Sequence, residues 1–329
     1  MKRLALLLGM VLLACDGTPT GPPPPPPGGR PLGSAFLRTG PRPCDGLQCW
    51  DVDVTCPGVA GSLTATLHVR PFESPALGTV LFFSGGEGTS RWSKEPPGLQ
   101  AQLDLAEAGF RVVEVQWNEP WLFGSSVAEG HLALACRPAT LTRWVYEQPS
   151  LHAGSTGRAF CVTGNSGGAA QVAYGLSHYG MESIVDLALP SEGPPMGRID
   201  LGCDRTDPTN EPFWYKGFSP AGMDMGFGFD GDGPCERSDP SFSSRFRAAS
   251  VVNESGDYEH PSTRIHFLMG ELSGSEAQVH GLAYHARLVE EGETDVALEF
   301  LPGVRHTIMA TTEGANAVRD VILNECRVP

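Results

Sequence analysis

The order of apolar and polar positions along the chain predicts strands that alternate with helices. Residues 63–70 alternate as one face of a strand does, and 78–83 is a short apolar run that ends in glycines. Residues 98–108 have helical spacing and stop at Gly109, after which 110–117 is again a strand pattern. Further strands are predicted at 159–163, 183–189, 263–269 and 296–301, and further helices at 126–148, broken near Pro138, 168–179, 276–291 and 314–325.

This alternation predicts the fold class. Strands separated by helices form an α/β fold, with a mostly parallel central sheet and helices on both faces. One interval does not fit the short spacing, because a segment rich in glycine, proline, aspartate and aromatic residues separates the strand at 183–189 from the strand at 263–269. A stretch of that length inside a domain is rarely structureless, so we predict a cap or lid insertion at about 191–262.

The N-terminal residues have the pattern of an export signal. Met1, Lys2 and Arg3 precede an apolar run at 4–13 that is too short to span a bilayer. The run ends in Leu-Leu-Ala-Cys15, which resembles the lipobox of bacterial lipoproteins; this resemblance implies a lipid on Cys15. An ordinary signal peptide that ends near a cysteine is the alternative.

The segment after Cys15 is a predicted spacer. It contains the proline run Pro22–Pro27, which favours an extended polyproline conformation. We therefore expect a signal peptide at 1–14, a tether at 15–33 and one domain at 34–329. The protein is expected to be exported and lipid-anchored to the bacterial cell envelope, on the periplasmic or outer-surface side.

Cysteine content and charge restrict the chemistry further. Nine cysteines minus Cys15 leave eight, and an even number in an exported chain predicts disulfides. We expect Cys203 to pair with Cys235 and Cys136 with Cys161, with a merely buried Cys161 as the alternative. No paired CxxC spacing indicates zinc, so no metal is expected. The formal net charge of −15 and the lack of a long basic stretch make nucleic acid an unexpected partner.

Two motifs carry the candidate nucleophile and base. Ser166 is the centre of a G-x-S-x-G sequence between a predicted strand and a predicted helix, the context of a nucleophile elbow. A serine that only caps the helix is the alternative. His306 follows the last predicted strand, and a serine hydroxyl needs such a base to take its proton. The alternative is an isolated surface histidine.

A glycine loop supplies the candidate oxyanion site. Ser84-Gly85-Gly86-Glu87-Gly88 follows the strand at 78–83 and resembles the HGGG loop of esterases and lipases, with Ser84 where that loop often has histidine. The amides of Gly85, Gly86 and Gly167 would hold the oxyanion. An ordinary glycine turn is the alternative.

Together these motifs, in this order, resemble the α/β-hydrolase superfamily of serine esterases and lipases over nearly the whole chain after the tether. In that family the third triad member is usually an aspartate in a segment that here reads 269–276, with Ser273 in the aspartate position. We expect Glu271 to take its place, with Glu276 as the alternative acid. Glu276 also completes a capping box with Ser273. Asp200 and Asp204 are more remote alternatives.

The expected function follows from this resemblance. We expect a serine hydrolase that cleaves carboxylic ester bonds, with amide bonds as the alternative, in a small-molecule or acyl substrate through a Ser-His-acid triad and an acyl-enzyme. Peptidase activity is expected less, and no cofactor is expected. The rival expectation is a catalytically silent lipoprotein that keeps the hydrolase fold as a binding module, for which the missing aspartate is the main support.

Overall fold

The computed structural model describes residues 29–70, 77–124, 128–152, 157–217 and 219–328. The predicted signal peptide, Cys15 and the proline run lie outside these ranges. Within them, the helices are too short or too polar to cross a bilayer.

A single mixed sheet runs through the domain. Its nine strands in the described ranges are β1 (Ser34–Cys44), β2 (Leu47–Cys56), β3 (Val59–Val69), β4 (Gly78–Phe83), β5 (Phe110–Trp117), β6 (Ala159–Asn165), β7 (Leu187–Ser191), β8 (Arg264–Gly270) and β9 (Val296–Leu301). They lie in the order β1-β2-β3-β5-β4-β6-β7-β8-β9. The pairs from β1 to β5 are antiparallel, and those from β5 through β4 to β9 are parallel. The predicted, mostly parallel sheet is confirmed.

Helices cover both faces of the sheet. They are α1 (Pro96–Glu107), α2 (His131–Leu134), α3 (Cys136–Glu147), α4 (Gly167–Tyr179), α5 (Ile199–Cys203), α6 (Ser219–Gly226), α7 (Ser243–Ala249), α8 (Glu276–Glu291) and α9 (Thr312–Glu325). Alternate residues of β4 divide between two cores: Val80 and Phe82 pack with α1 and α9, while Leu81 and Phe83 pack with α3, α4 and α8. The two faces are therefore both buried, which explains the continuous apolar run of β4.

The helix predicted at 126–148 is divided. Its described part forms α2 and α3, which meet at Ala135 rather than at Pro138. Pro138 lies in the first turn of α3, where a missing backbone N–H removes no hydrogen bond. The predicted break is therefore present but lies a few residues earlier.

The chain before β1 contacts the domain. Arg30 N donates to His178 O at 2.7 Å, Gly33 N donates to Thr140 Oγ1 at 2.8 Å, and Leu32 packs against the core. Residues 30–33, which we assigned to the tether, thus lie on the folded domain.

Four disulfides connect the described residues, and one of the two predicted pairs is present. Cys203 pairs with Cys235 as predicted. The predicted pair of Cys136 with Cys161 is wrong, because these residues belong to the cores on opposite faces of the sheet. The remaining pairs are Cys44–Cys49, Cys56–Cys136 and Cys161–Cys326.

The long interval between β7 and β8 is the β7–β8 segment (192–263), which contains α5, α6 and α7. The Cys203–Cys235 disulfide closes it internally. Its attachment to α8 runs through His280, whose Nδ1 accepts from Arg198 N at 3.0 Å and whose Nε2 donates to Phe213 O at 2.9 Å. Burial lowers the pKa of His280 to about 4. The neutral imidazole thereby joins the segment to α8, as does the Glu276 carboxylate of the same helix, which accepts from Ser219 Oγ.

Candidate active site

Ser166 occupies a sharp turn between β6 and α4. Its φ is 55° and its ψ is −115°, a conformation that L-residues seldom adopt outside constrained sites. A Cβ on Gly164 would lie 2.3 Å from the backbone of Gly168, so glycine is required where the strand and the helix approach each other. Ser166 is partly exposed although Asn165 and Gly167 beside it are buried. The predicted elbow geometry is therefore present.

His306 lies in the loop between β9 and α9. Its Nδ1 is 3.0 Å from Glu192 Oε2, and its side chain is 32% exposed. The loop is held to the serine turn, because Ile308 N donates to Asn165 Oδ1 at 3.1 Å. The residue next to Ser166 thus positions the loop that carries the histidine.

Glu192 is the acidic partner of this histidine. It follows β7 directly, has a φ of 51° and is fully buried. Besides His306, its carboxylate accepts hydrogen bonds from Gly270 N, Ser273 Oγ and, at 3.4 Å, Gln278 Nε2. A carboxylate without water needs such donors, and four of them meet here. The arrangement fixes both the carboxylate and the imidazole.

The acids named from the sequence lie elsewhere. The exposed Glu271 accepts from Gly303 N at 3.4 Å, and Glu276 accepts from Ser219 Oγ at 2.9 Å. Within the described residues, His306 Nδ1 bonds to Glu192 instead, so the expected contact with Glu271 or Glu276 is corrected. The physical reason lies in the turn after β8. Ser273 occupies the position in that turn where the acid was expected, and it donates its hydroxyl to Glu192.

Sequence reasoning had a signal for Glu192 and did not use it. The residue stands three positions after the strand predicted at 183–189 and directly after the observed β7, at the sheet edge where the neighbouring strand presents Ser166. The outlying candidates after that strand were Asp200, which pairs with Arg198 at 2.7 Å, and Asp204, which bonds to Thr206 at 2.6 Å. Both lie further along the β7–β8 segment, beyond the turn that faces the histidine.

The glycines predicted for the oxyanion site meet at Ser166. A Cβ on Gly85 would lie 3.7 Å from Ser166 Cβ, and a Cβ on Gly167 would lie 2.1 Å from Gly86 O. Gly86 has a φ of 58°. Gly167 begins α4, so its amide belongs to the helix N-terminus, where unpaired N–H groups favour negative charge. These backbone positions are suited to hold a developing oxyanion.

Two cavities adjoin the Ser166 and His306 side chains. The apolar cavity, of about 230 Å³, also has Glu87 and Glu276 in its lining. Its apolar lining comes mainly from the β7–β8 segment and consists of Leu122, Phe123, Pro195, Met196, Tyr215 and Met223. The second cavity, of about 360 Å³, is called the polar cavity because most of its other side chains are polar, although Trp92 and Met309 also line it. The polar side chains are those of Ser84, Ser90, Arg91, Glu95, Asn165 and Thr307. A substrate that reaches Ser166 would therefore meet mainly apolar side chains in one cavity and more polar side chains in the other.

Comparison with known proteins identifies the fold. No protein-family model matches the sequence, and no curated protein matches it. Est1E from Butyrivibrio proteoclasticus is similar in structure, with a TM-score of 0.51 and 13% identity over 84% of this chain and 98% of Est1E.

Two further esterases have the same likeness. The hyperthermophilic esterase from the archaeon Pyrobaculum calidifontis has a TM-score of 0.53 and 18% identity over 83% of this chain and 81% of its own. A brefeldin A esterase, described as a bacterial homologue of human hormone sensitive lipase, has a TM-score of 0.54 and 18% identity over 88% of this chain and 80% of the esterase. With its strand order and these neighbours, the chain has the α/β-hydrolase fold.

Proposed function

We propose that the protein is a serine hydrolase that cleaves carboxylic esters. The observation that carries this proposal is that Ser166, in its strained turn, and His306, bonded to the buried Glu192, line the same two cavities. The three similar structures described above are esterases, which supports ester over amide as the bond cleaved. Amide cleavage by the same groups is the alternative within this class.

In the first step, Ser166 Oγ attacks the carbonyl carbon of the ester. The new C–O bond forms as the serine proton passes to His306 Nε2 and the carbonyl electron pair moves to oxygen. Glu192 keeps the imidazole proton on Nδ1, so that Nε2 is free to accept, and it stabilises the imidazolium that results. The amides of Gly85, Gly86 and Gly167 hold the oxyanion.

In the second step, the tetrahedral intermediate collapses. The alcohol leaves with the proton from His306, and an acyl group remains on Ser166. A water molecule then attacks the acyl carbon while His306 takes its proton. The carboxylic acid is released when Ser166 recovers that proton, and the site returns to its starting state.

The test is covalent labelling of the purified full chain with a fluorophosphonate, which reacts with activated serines. We expect labelling that is lost in both Ser166→Ala and His306→Ala. Ser191→Ala is the matched control, because its buried hydroxyl lies in neither cavity. Unlabelled protein is then assayed with p-nitrophenyl esters of increasing chain length and with peptide amides.

The opposite result would favour the rival expectation of a silent binding module. A folded chain that takes no label, or one that is labelled equally in Ser166→Ala, would exclude Ser166 as an activated nucleophile. The main support for a silent protein was the missing aspartate, and Glu192 beside His306 removes that argument.

We also propose that the protein is exported and lipid-anchored through Cys15. Four disulfides among the described residues support an oxidising compartment. In bacteria grown with labelled palmitate, the full chain should take up label and remain with the membrane, and Cys15→Ser should do neither. An unlabelled, released wild type would indicate an ordinary signal peptide.

A further inference from the structure

The polar cavity beside Ser166 contains a positive charge that the proposed chemistry does not use. Arg91 is the cation in its lining, next to Ser84 and Ser90. The apolar cavity on the other side has Glu87 and Glu276 in its lining and no arginine or lysine among the described residues. The two sides of the nucleophile thus differ in the sign of charge that they favour.

The guanidinium of Arg91 is held in place. Its Nη1 lies 3.1 Å from His68 Nδ1, and His68 Nε2 lies 3.1 Å from Gln116 Oε1. Gln116 Nε2 in turn donates to Thr89 O at 2.9 Å. Burial, and next the charge of Arg91, lowers the pKa of His68, so the neutral imidazole accepts from Arg91 and donates to Gln116. A positioned guanidinium loses little freedom when it binds a ligand.

Arg91 forms no ion pair among the described residues, and its Nε has no hydrogen-bond partner there. The buried carboxylate in this region, Glu114, accepts hydrogen bonds from Ser93 and Gln102 and does not line the cavity. Glu95 lines the cavity but is exposed, so water screens its charge. Arg91 is therefore the charged group that a ligand inside the cavity would meet at close range.

A second buried group in the same lining also lacks a partner. Ser84 is 3% exposed, and its hydroxyl has no hydrogen-bond partner in the described structure. Because this oxygen is inaccessible to water, Ser84 contributes to the wall of the cavity and not a donor within it. The exposed Ser90 and the guanidinium of Arg91 are the donors that a ligand with negatively charged oxygens would meet.

We propose that the polar cavity binds a carboxylate group of the substrate, with Arg91 as its counter-ion and Ser90 as a hydrogen-bond donor. A carboxylate matches the Arg91 guanidinium in charge, and Nη2 is the nitrogen left for it, because Nη1 is bonded to His68 and Nε is buried. The inference rests on the proposed esterase activity and narrows it: the substrate is an ester with a free carboxylate on one side of the scissile bond. The other side enters the apolar cavity.

Matched substrate pairs test this proposal with the full chain. Monoethyl adipate and its terminal amide, ethyl adipamate, differ only in a carboxylate on the acyl side. Acetoxyacetic acid and acetoxyacetamide differ in the same way on the alcohol side. We expect kcat/KM for the carboxylate member of one pair to exceed that of its amide by about tenfold, a typical value for a charge-assisted hydrogen bond. The pair that shows the preference identifies which side of the ester enters the polar cavity.

Variants assign the preference to Arg91. In Arg91→Gln the ratio between the two members should fall to about one, and Arg91→Lys should restore part of it, because the charge returns without the guanidinium. Lys94→Gln removes a neighbouring exposed cation outside the cavity lining and should leave the ratio and the basal activity unchanged. Circular dichroism of each variant reports whether it is folded.

Two results would overturn the proposal. One is fluorophosphonate labelling of Ser166 together with no carboxylate preference in either pair, which would leave the esterase proposal standing. The other is a preference that survives Arg91→Gln. If Ser166 is not labelled and no ester is cleaved, the esterase proposal fails. Calorimetric titration with adipate then measures carboxylate binding without any need for ester cleavage. Equal affinity of the wild type and Arg91→Gln for adipate would overturn the proposed carboxylate site.

Discussion

The turns after β6 and β7 hold Ser166 and Glu192 at similar positive φ values, 55° and 51°. They are also joined, because Ser166 N donates to Ser191 O at 2.8 Å. Their sequences differ, however. After β6 a long helix begins at once and packs tightly on the strand, which requires glycine at 164 and 168.

After β7 the chain enters the β7–β8 segment instead, and the helix that packs tightly on this turn comes much later in the chain, because a Cβ on Gly281 of α8 would lie 2.3 Å from Gly193 O. Gly193 is the neighbouring glycine, and a Cβ there would lie 2.9 Å from Ser166 O. A recognisable local motif therefore records how closely the next helix in the sequence packs on its strand, while a residue in the same strained region of φ can occur without one.

The largest expected effect tests whether the two turns belong to one site. Glu192→Gln should lower kcat by about 10³-fold, because the amide can no longer fix the imidazole tautomer or stabilise its charge. The measurement is kcat with the best p-nitrophenyl ester, alongside circular dichroism. Glu271→Gln is the control and should change kcat by less than about twofold, since its carboxylate is exposed. Equal losses of kcat in Glu192→Gln and Glu271→Gln would contradict a specific role of Glu192 beside His306.

The second prediction concerns the different packing of the two turns. Gly164→Ala should lower the free energy of unfolding by about 3 kcal/mol, because its Cβ would meet the backbone of Gly168 at 2.3 Å. Gly193→Ala should lower it by about 1 kcal/mol, since its nearest contacts are at 2.9 to 3.1 Å. Urea unfolding measures both. A larger loss of unfolding free energy in Gly193→Ala than in Gly164→Ala would contradict the interpretation that the glycine motif reflects close packing of α4 on β6.

The third prediction concerns pH and the segment that begins at Glu192. Burial lowers the pKa of His280 from 6.5 to about 4, so the unfolded chain takes up the proton first as pH falls. The contribution of the neutral His280 to the free energy of unfolding is therefore complete above pH 6.5 and is lost as pH falls towards 4. At pH 4.5 the loss is roughly 2.5 kcal/mol. Urea unfolding at pH 7 and pH 4.5 should therefore show a smaller difference for His280→Gln than for the wild type.

The buried His131, His152 and His178 also have a pKa lowered to about 4, and they keep their share of the pH dependence in that variant. These three histidines thus serve as the internal reference for the variant. An unchanged pH dependence of unfolding in His280→Gln would show that folding does not lower the pKa of His280.

The smallest expected effect lies at the junction between the turns. Ser191 is fully buried and its hydroxyl has no partner among the described residues, whereas its carbonyl accepts from Ser166 N. Ser191→Ala keeps that carbonyl and removes an unpaired hydroxyl, so the free energy of unfolding should change by less than about 0.5 kcal/mol. A loss above about 2 kcal/mol in thermal or urea unfolding would reveal a hydrogen bond that the hydroxyl makes.

Local patterns were enough to predict much of the fold. β4, β5, β9 and α8 have the predicted bounds. β4 is a continuous apolar run, β5 and β9 are mostly apolar runs rich in β-branched and aromatic residues, and α8 is a regular helical face that begins at a cap and ends at a glycine. No strand was predicted before residue 63, although alternate residues of β2 are buried. β1 is an edge strand with mostly exposed residues and two prolines, so its sequence has little alternation.

Features that depend on contacts between distant residues were harder to predict. The sequence identified Ser166 and His306 from their neighbours, but the acid depends on which of several strand ends faces the histidine. The partner of Cys161 likewise depends on which face of the sheet its side chain enters, and that face holds Cys326 and not Cys136. Local periodicity contains no information on either choice.

Ser273 stands where the family that the sequence resembles usually has an aspartate, and its hydroxyl shares Glu192 Oε2 with His306 Nδ1. Two positions in different turns, one after β7 and one after β8, thus meet at the carboxylate oxygen that binds the imidazole. Over evolution, an acid could pass from one position to the other through an ancestor that carried both carboxylates, which would share a proton because two adjacent buried charges repel. The histidine would have an acidic partner at every stage, so the change of position would never require an inactive intermediate.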